Sequence, residues 1–202
     1  HHIVMTILLF DVGNVVVEAD QEITHKQLQS YGVPRERAIT FFVNEDYFEF
    51  SRGKINGQEF YQALIEKHLK CNLSYEQVVE AHAMHLCGIN ADVVDILKRF
   101  PRENLAFLTD CNVWQTEREM ELIDLTNYSS NIFRSHEIGM RKTDDGCFEY
   151  VAKQLNIDSS KILLIDDSTE KISKAQEFGI QTHQFIDLEQ LIAFLQDKNI
   201  LK

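Results

Sequence analysis

Acidic and hydroxyl side chains stand at the ends of three short apolar stretches. Asp11 follows "ILLF", Thr109 and Asp110 follow "LAFL", and Asp166 and Asp167 follow "ILLI". Apolar runs of this length, without polar alternation, are typical of strands that are buried on both faces of a parallel sheet. Ligands bind outside the carboxyl ends of such strands. The three polar strand ends are therefore expected to converge in one crevice, although a single strand-end aspartate is more often a turn former or a helix cap.

A lysine between the second and third stretches adds a cation to this set. Lys142 lies in "GMRKTD", after a glycine and at an expected junction between a loop and a helix. From there its ammonium group could reach the crevice. Taken by itself, the segment would equally suit a solvated surface lysine.

Together these residue types suit phosphoryl transfer. One carboxylate would act as the nucleophile, a hydroxyl and a lysine would hold phosphate oxygens, and a pair of carboxylates would hold Mg²⁺, which prefers carboxylate, carbonyl and water oxygens. The metal and the lysine would also offset the repulsion between an anionic nucleophile and an anionic phosphate.

The elements that must position these residues indicate an α/β fold. Weaker strand candidates are "NIFRS" near Phe133 and "IQTHQFI" near His183, and amphipathic helical patterns such as "ADVVDILKRF" and "FEYVAKQLN" separate the strands. "STEKISKAQEFG" predicts a further helix, with Ser168 as its N-cap and Gly179 at its end. Strands that alternate with helices predict a doubly wound parallel sheet of Rossmann-like type.

The region from residue 18 to residue 86 shows helical patterns and no convincing strand. Because it follows the first strand directly, we expect a small helical cap over the crevice. The predicted domains are therefore an α/β core of residues 1–17 plus 87–202 and an inserted cap of residues 18–86. A helical subdomain without functional contacts is the alternative.

Composition limits the partners. The formal net charge of −12 argues against nucleic acid or an anionic membrane, because both require a basic face. No apolar run approaches the roughly 18 residues of a membrane span.

Four scattered cysteines without a CxxC pair suit free thiols and a cytoplasmic location. His1 and His2 are interpreted as the remnant of a purification tag, with Met5 as the native start.

The motifs "FDVGN", "LTDCN", "GMRK" and "LLIDDS", in this order, resemble those of the haloacid dehalogenase-like hydrolase superfamily across nearly the whole chain. The short helical region with "FSRGKINGQEF" is similar to the cap of the subgroup that contains the phosphatase domain of epoxide hydrolase and bacterial glucose-1-phosphate phosphatase. The resemblance implies a Mg²⁺-dependent phosphatase that acts on a small phosphorylated metabolite. Because a small cap leaves the crevice accessible, a monomer or a homodimer is expected.

The resemblance also implies roles for individual residues in catalysis. Asp11 would be the nucleophile that forms an aspartyl-phosphate. Thr109 would hydrogen-bond the phosphoryl group, Asp110 would supply backbone contacts, and Lys142 would neutralise the phosphate and the nucleophile.

The implied metal ligands are Asp11, the backbone carbonyl of Gly13, and the pair Asp166 and Asp167, of which Asp167 is expected to bind directly. In the cap, Phe48 and Arg52 are candidates for facing the substrate, with packing or surface positions as the alternative.

The sequence departs from the family where its phosphatases usually carry a second aspartate, because Gly13 stands there. General acid–base catalysis contributes roughly 10² to 10⁴-fold, so we expect anomeric, acyl and aryl phosphates to be preferred over simple alkyl phosphates. Glu18 and Asp20 are candidates for a substitute acid. Thr143 stands in place of a common Pro, and Lys171 in place of a common Asn.

Two other functions remain open at this point. A non-catalytic relative that binds a phosphorylated metabolite would keep the site without turnover. A haloacid dehalogenase would use the aspartate against carbon, but that reaction needs no metal, and the acidic pair argues against it.

Overall fold

The structure is a computed structural model, and it describes residues 5–202. The proposed tag remnant, His1 and His2, lies outside the described residues. Within the described part of the chain, no helix combines the length and the apolar character that a membrane crossing requires.

Five parallel strands form the central sheet, in the spatial order β5-β4-β1-β6-β7, and two further strands form a separate antiparallel pair. The strands are β1 (Ile7–Phe10), β2 (Val17–Ala19), β3 (Leu86–Ile89), β4 (Leu105–Thr109), β5 (Ile132–Arg134), β6 (Ile162–Asp166) and β7 (Gln181–Gln184). The predicted α/β sheet, including both weaker strand candidates, is confirmed.

Helices cover both faces of this sheet and form the region between β2 and β3. They are α1 (Gln21–Ser30), α2 (Arg35–Ala38), α3 (Glu45–Ser51), α4 (Gly57–Ala63), α5 (Tyr75–Ala83), α6 (Ala91–Leu97), α7 (Val113–Leu122), α8 (Ser135–Ile138), α9 (Cys147–Leu155), α10 (Thr169–Glu177) and α11 (Leu188–Asp197). A π-helical turn, Leu64–His68, continues α4. Ser168 caps α10 by accepting a hydrogen bond from the Lys171 N–H, as the sequence predicts.

The register of the sheet brings the ends of its central strands to one level. Phe10 on β1 lies beside Phe107 on β4 and Ile165 on β6, and the N–H of Asp11 donates to the Ile165 carbonyl at 2.9 Å. From this level β1 ends, β6 continues for one residue to Asp166 and β4 for two residues to Thr109. The polar strand ends therefore lie at the carboxyl edge of the sheet, where parallel α/β sheets bind ligands.

Alternate residues of the strands supply two apolar cores. Leu8 and Phe10 pack on the face covered by α6 and α11, whereas Ile7 and Leu9 pack on the face covered by α9 and α10. All four of these side chains are buried, so the strands are apolar on both faces. This double burial is the physical reason for the continuous apolar runs in the sequence.

The helices α1 to α5, which we call the helical insert, pack around an aromatic core of their own. Phe41, Phe50 and Phe60 are buried there. Trp114 of α7 contacts Phe50 and Phe60 with ring centroids 4.9 and 5.4 Å away. One helix of the sheet layer thus completes the core of the insert.

The expectation that residues 18–86 lack strands is wrong at both ends of this region. β2 and β3 pair antiparallel at the base of the helical insert, with an irregular register between Glu18 and Ala19. Strands of three and four residues, one of which contains Gly88, carry too little polar alternation to be detected. The division into core and cap domains stays a prediction.

Candidate active site

Asp11 begins a tight turn that closes the carboxyl end of β1. The Val12 carbonyl accepts hydrogen bonds from the N–H groups of Val15, Val16 and Val17, and Asn14 adopts a left-handed conformation with φ of 63°. The turn fixes the Asp11 side chain, whose Oδ1 accepts a hydrogen bond from the Val12 N–H at 2.9 Å. Within residues 5–202, Oδ2 of this carboxylate accepts no hydrogen bond and stays available for chemistry.

Lys142 joins the first and the third polar strand ends. Its Nζ donates to Asp11 Oδ1 and to Asp166 Oδ2, at 2.7 Å each, and its side chain is fully buried. Burial alone would lower the pKa of Lys142, but the carboxylates of Asp11 and Asp166 raise it above its ordinary value. The ammonium group is therefore charged at neutral pH. The alternative of a solvated surface lysine does not hold.

Burial also acts on the two carboxyls that Lys142 contacts. Burial raises the pKa of Asp11, and the Lys142 ammonium opposes that rise. For Asp166, burial is outweighed by Lys142 and by a hydrogen bond from the Ser168 N–H, so that its pKa lies below the ordinary value. Asp166 is thus the stably ionised partner of the lysine.

The second strand end contributes Thr109 and Asp110. Thr109 is buried and lines the cavity beside Asp11. Asp110 Oδ1 accepts a hydrogen bond from the Lys142 N–H at 2.9 Å. Asp110 therefore fixes the loop of residues 139–146, which carries the lysine, to the end of β4.

Three carboxylates meet in a way that suits a divalent cation. One oxygen each from Asp11, Asp166 and Asp167 lies within 4.8 Å of the others, and oxygen ligands of this kind are those that Mg²⁺ prefers. Lys142 contacts two of these carboxylates, and Lys171, which is shared with Asp110, acts on them from a greater distance, so positive charge is still short of three carboxylates. The residues at the site therefore fit a metal ion.

A cavity of about 310 Å³ opens above these groups. The expected site residues Asp11, Gly13, Thr109, Asp110 and Asp167 line it. Its other walls come from the insert and from the helices of the sheet layer, including Gln21, Phe42, Tyr47, His85, Gln115, Glu119, Arg141 and Lys171. This volume suits a small molecule.

Gly13 leaves part of this cavity open. A Cβ placed on Gly13 would meet no heavy atom within 4 Å, and the φ angle of this residue lies outside the left-handed region. Neither crowding nor backbone conformation requires a glycine at this position. The lack of a side chain at position 13 therefore leaves unoccupied space beside Asp11.

Phe48 and Arg52, the residues of the cap expected to face the substrate, are not part of the cavity wall that residues 5–202 form. Arg52 donates two hydrogen bonds to the Asp144 carboxylate, at 2.7 and 2.9 Å. The Phe48 ring lies under the Arg141 guanidinium, 4.4 Å from its centre. In the structure both residues hold the loop that contains Lys142.

Glu18 and Asp20, the candidates for a substitute acid, are not among the residues of the 5–202 range that line the cavity. Glu18 is exposed on β2, and Asp20 caps α1. Burial raises the pKa of the Cys111 thiol to about 12, so Cys111 is an inert buried thiol. His136 hydrogen-bonds to Thr116 Oγ1 at 2.9 Å and is structural.

Several cavity residues were not identified from the sequence. His85 lies in a helical pattern that gives no sign of its direction, and Glu119, paired with Arg134 at 2.7 Å, falls in a helix with no motif. Arg141 offered one signal, because it directly precedes the expected catalytic lysine in "GMRK".

Comparison with known proteins gives one family. The family model described as haloacid dehalogenase-like hydrolase matches residues 8–185. A curated relative, drimenol cyclase drtB from Aspergillus calidoustus, is 22% identical over 183 residues; the match covers 88% of this chain and 33% of that protein. The chain thus spans about a third of this relative's length.

Solved structures share the fold. The HAD family enzyme bt-2542 from Bacteroides thetaiotaomicron, in complex with magnesium and inorganic phosphate, is 23% identical with a TM-score of 0.81, over 93% of this chain and 98% of that one. A HAD-like family hydrolase from Porphyromonas gingivalis is 19% identical with a TM-score of 0.83, over 99% and 100% of the two chains.

Proposed function

This chain belongs to the haloacid dehalogenase-like hydrolase family, and we propose that it is a Mg²⁺-dependent phosphatase of a small phosphorylated metabolite, with Asp11 as its nucleophile. The observation that carries the proposal is the contact of the Lys142 ammonium with both Asp11 and Asp166, at 2.7 Å each, beneath a small cavity. The magnesium and phosphate bound by the enzyme from Bacteroides thetaiotaomicron support it.

Magnesium would be held by Asp11, Asp166, Asp167 and the carbonyl of Gly13. When bound, it would supply positive charge that favours the ionised carboxylate of Asp11 and offsets the charge of the phosphoryl group. Lys142 would supply further positive charge from the opposite side, and the Thr109 hydroxyl would donate a hydrogen bond to a phosphoryl oxygen.

The reaction would have two steps. Asp11 Oδ2 would attack phosphorus, and the bond to the leaving oxygen would break with its electron pair on that oxygen. Water would then attack the phosphorus of the aspartyl-phosphate, and the bond from phosphorus to Asp11 Oδ2 would break, which regenerates the carboxylate and releases inorganic phosphate. One proton of this water would stay on the phosphate, and the other would neutralise the departed oxygen through the solvent. Because no acid stands at position 13, the leaving group would have to depart with little protonation, which favours anomeric, acyl and aryl phosphates.

The test measures hydrolysis of p-nitrophenyl phosphate and glucose 1-phosphate by the wild type and Asp11→Asn, with Mg²⁺ and with a chelator. We expect chelator-sensitive hydrolysis that the substitution abolishes. Binding of Mg²⁺ and beryllium fluoride without turnover would instead support a non-catalytic metabolite-binding protein. This is the second candidate, because no acidic side chain fills the space at Gly13. Halide release without a metal would contradict both.

Three further properties belong to this proposal. We expect a small-molecule substrate, a monomer or a homodimer, and a cytoplasmic location. The last expectation accords with the cysteines, because Cys71, Cys87, Cys111 and Cys147 are all free in the structure.

A further inference from the structure

Arg141 is a largely enclosed cation whose side chain has no hydrogen-bond acceptor among residues 5–202. The side chain is 19% exposed and lines the cavity. Phe48 covers one face of its guanidinium. Among residues 5–202, its nearest carboxylate oxygen, Asp110 Oδ2, is 3.9 Å from Nη2, beyond hydrogen-bond distance, and its Nε has no partner. Guanidinium groups in such surroundings are usually hydrogen-bonded. The donors of Arg141 are therefore available to the oxygen atoms of a ligand in the cavity.

Lys171 brings a second cation to the same wall. It extends from the first turn of α10 and lines the cavity. Its Nζ is 3.3 Å from Asp110 Oδ2, the oxygen that also faces Arg141. One carboxylate thus stands between two cations, and the three side chains together carry one unbalanced positive charge.

Arg141 and Lys171 make their closest side-chain contacts with a different carboxylate from Lys142, although Lys171 also acts on Asp11 and Asp166 from a greater distance. Lys142 is directed to Asp11 and Asp166, whereas Arg141 and Lys171 are directed to Asp110. Arg141 nevertheless adjoins Lys142 in the chain, and both cations border the cavity that contains Asp11. A single ligand in this cavity would therefore lie near both sets of groups.

We propose that Arg141 and Lys171 form a subsite for a second anionic group on the substrate, a carboxylate or a second phosphate. The proposal rests on the proposed phosphatase function and narrows its substrates to metabolites with two anionic groups. The planar fork of a guanidinium binds either oxyanion through two hydrogen bonds, and the lysine adds a point charge. The stacking of Arg141 on Phe48 orders the guanidinium before the ligand arrives, which lowers the entropy cost of binding.

The test uses three substrates that each carry an anomeric phosphate: glucose 1-phosphate, glucose 1,6-bisphosphate and glucuronic acid 1-phosphate. The variants are Arg141→Met, which keeps an aliphatic stem over Phe48, Arg141→Lys, and Lys171→Met. Lys174→Met is the matched control, because Lys174 lies on the same helix but pairs with Asp145. Unfolding curves verify that each variant is folded.

We expect wild-type kcat/KM to be higher for one or both doubly anionic substrates than for glucose 1-phosphate. Arg141→Met should reduce that preference about tenfold or more, mainly through KM, as the loss of a charged hydrogen bond requires. Lys171→Met should reduce it less, Arg141→Lys should recover part of it, and Lys174→Met should keep it. The comparison of the bisphosphate with the glucuronate distinguishes phosphate from carboxylate as the second group.

Binding provides a readout that is independent of turnover. Calorimetry of Asp11→Asn, with and without Arg141→Met, measures the affinity for the same three compounds. Loss of affinity for the doubly anionic compounds in the double variant supports the subsite even where no compound is hydrolysed, a result that would contradict only the phosphatase function. Equal affinity for all three compounds, or equal losses on all three, would overturn the subsite.

Discussion

The free space beside Asp11 makes Gly13 a site for a gain of function. Because a Cβ fits there without a close contact, we expect Gly13→Asp to be tolerated and to place a carboxyl group beside Asp11, near the leaving oxygen. We predict that it raises turnover of glycerol phosphate at least tenfold relative to p-nitrophenyl phosphate, since only the alkyl leaving group needs a proton donor. Steady-state kinetics on the two substrates measures this ratio.

Gly13→Asn is the control for this prediction, because it has nearly the same shape but no carboxyl proton to transfer. If the two variants changed the substrate ratio alike, the effect would come from space or polarity, and the proposed shortage of an acid would be wrong.

The buried ammonium of Lys142 predicts a large loss of stability when it is removed. Lys142→Met would leave Asp11 and Asp166 close together without their cation. Breaking a buried ion pair on one side costs about 3–5 kcal/mol. We expect a loss of this size in urea unfolding at pH 7, and a partial recovery in millimolar Mg²⁺, which would supply positive charge to the same carboxylates.

The wild type with and without Mg²⁺ is the reference for that measurement. A variant as stable as the wild type would show that the ion pairs of Lys142 contribute little. An equal stabilisation of both proteins by Mg²⁺ would show that the lysine and the metal act independently.

At the scale of elements, α3 of the helical insert supports the loop that carries Lys142. Arg52 binds Asp144 through two hydrogen bonds, and Asp144 also accepts a hydrogen bond from the Arg141 N–H at 2.8 Å. Arg52→Met would remove this connection. We predict a loss of about 1 kcal/mol in stability and a several-fold lower kcat for p-nitrophenyl phosphate, because the loop would hold the lysine less firmly.

Arg35→Met is the matched control, because Arg35 makes a similar two-fold contact with Glu22 at 2.6 and 3.1 Å inside the insert, remote from that loop. It should leave kcat unchanged. Equal effects of the two substitutions on kcat would contradict a specific connection between α3 and the loop.

At the scale of the whole molecule, buried histidines predict a loss of stability in mild acid. Burial lowers the pKa of His82 well below its ordinary value and that of His85 to about 4. Because these histidines take up protons near pH 6.5 in the unfolded chain and not in the folded protein, their contribution to stability is full above this pH and falls below it. The raised pKa of Asp11 contributes in the opposite direction. We expect a loss of about 2 kcal/mol per histidine from pH 6.5 to pH 5.

Urea unfolding at a series of pH values measures this slope, and His85→Gln should make it shallower between pH 6.5 and pH 4. Gln keeps a polar group beside Gln115, which contacts His85 Nε2 at 3.3 Å. A slope that did not differ from that of the wild type would exclude His85 as a cause.

The parts of the fold that the sequence predicted are those with strong local patterns. The central strands are apolar on both faces, so their runs are continuous, and the polar residues at their ends could be identified by position alone. The pair β2 and β3 was missed because its strands are three and four residues long. Its pairing joins residues about 70 positions apart, a contact that local patterns do not contain.

The same limit applies to the candidate site. The strand ends and Lys142 follow from motifs, and the structure brings them together. The directions of Phe48, Arg52 and Arg141 depend on how the helical insert packs on the loop of residues 139–146. Periodicity identifies a helix, but it does not say which neighbour each polar side chain meets.

The contacts of Arg52 with Asp144 and of Phe48 with Arg141 couple the helical insert to the loop that carries Lys142. If the insert moved away from the sheet, these contacts would break. The same movement would loosen the loop that directs the lysine to the nucleophile. We therefore expect turnover to take place while the insert remains in contact with the loop, so that closure of the insert and alignment of the lysine are one event.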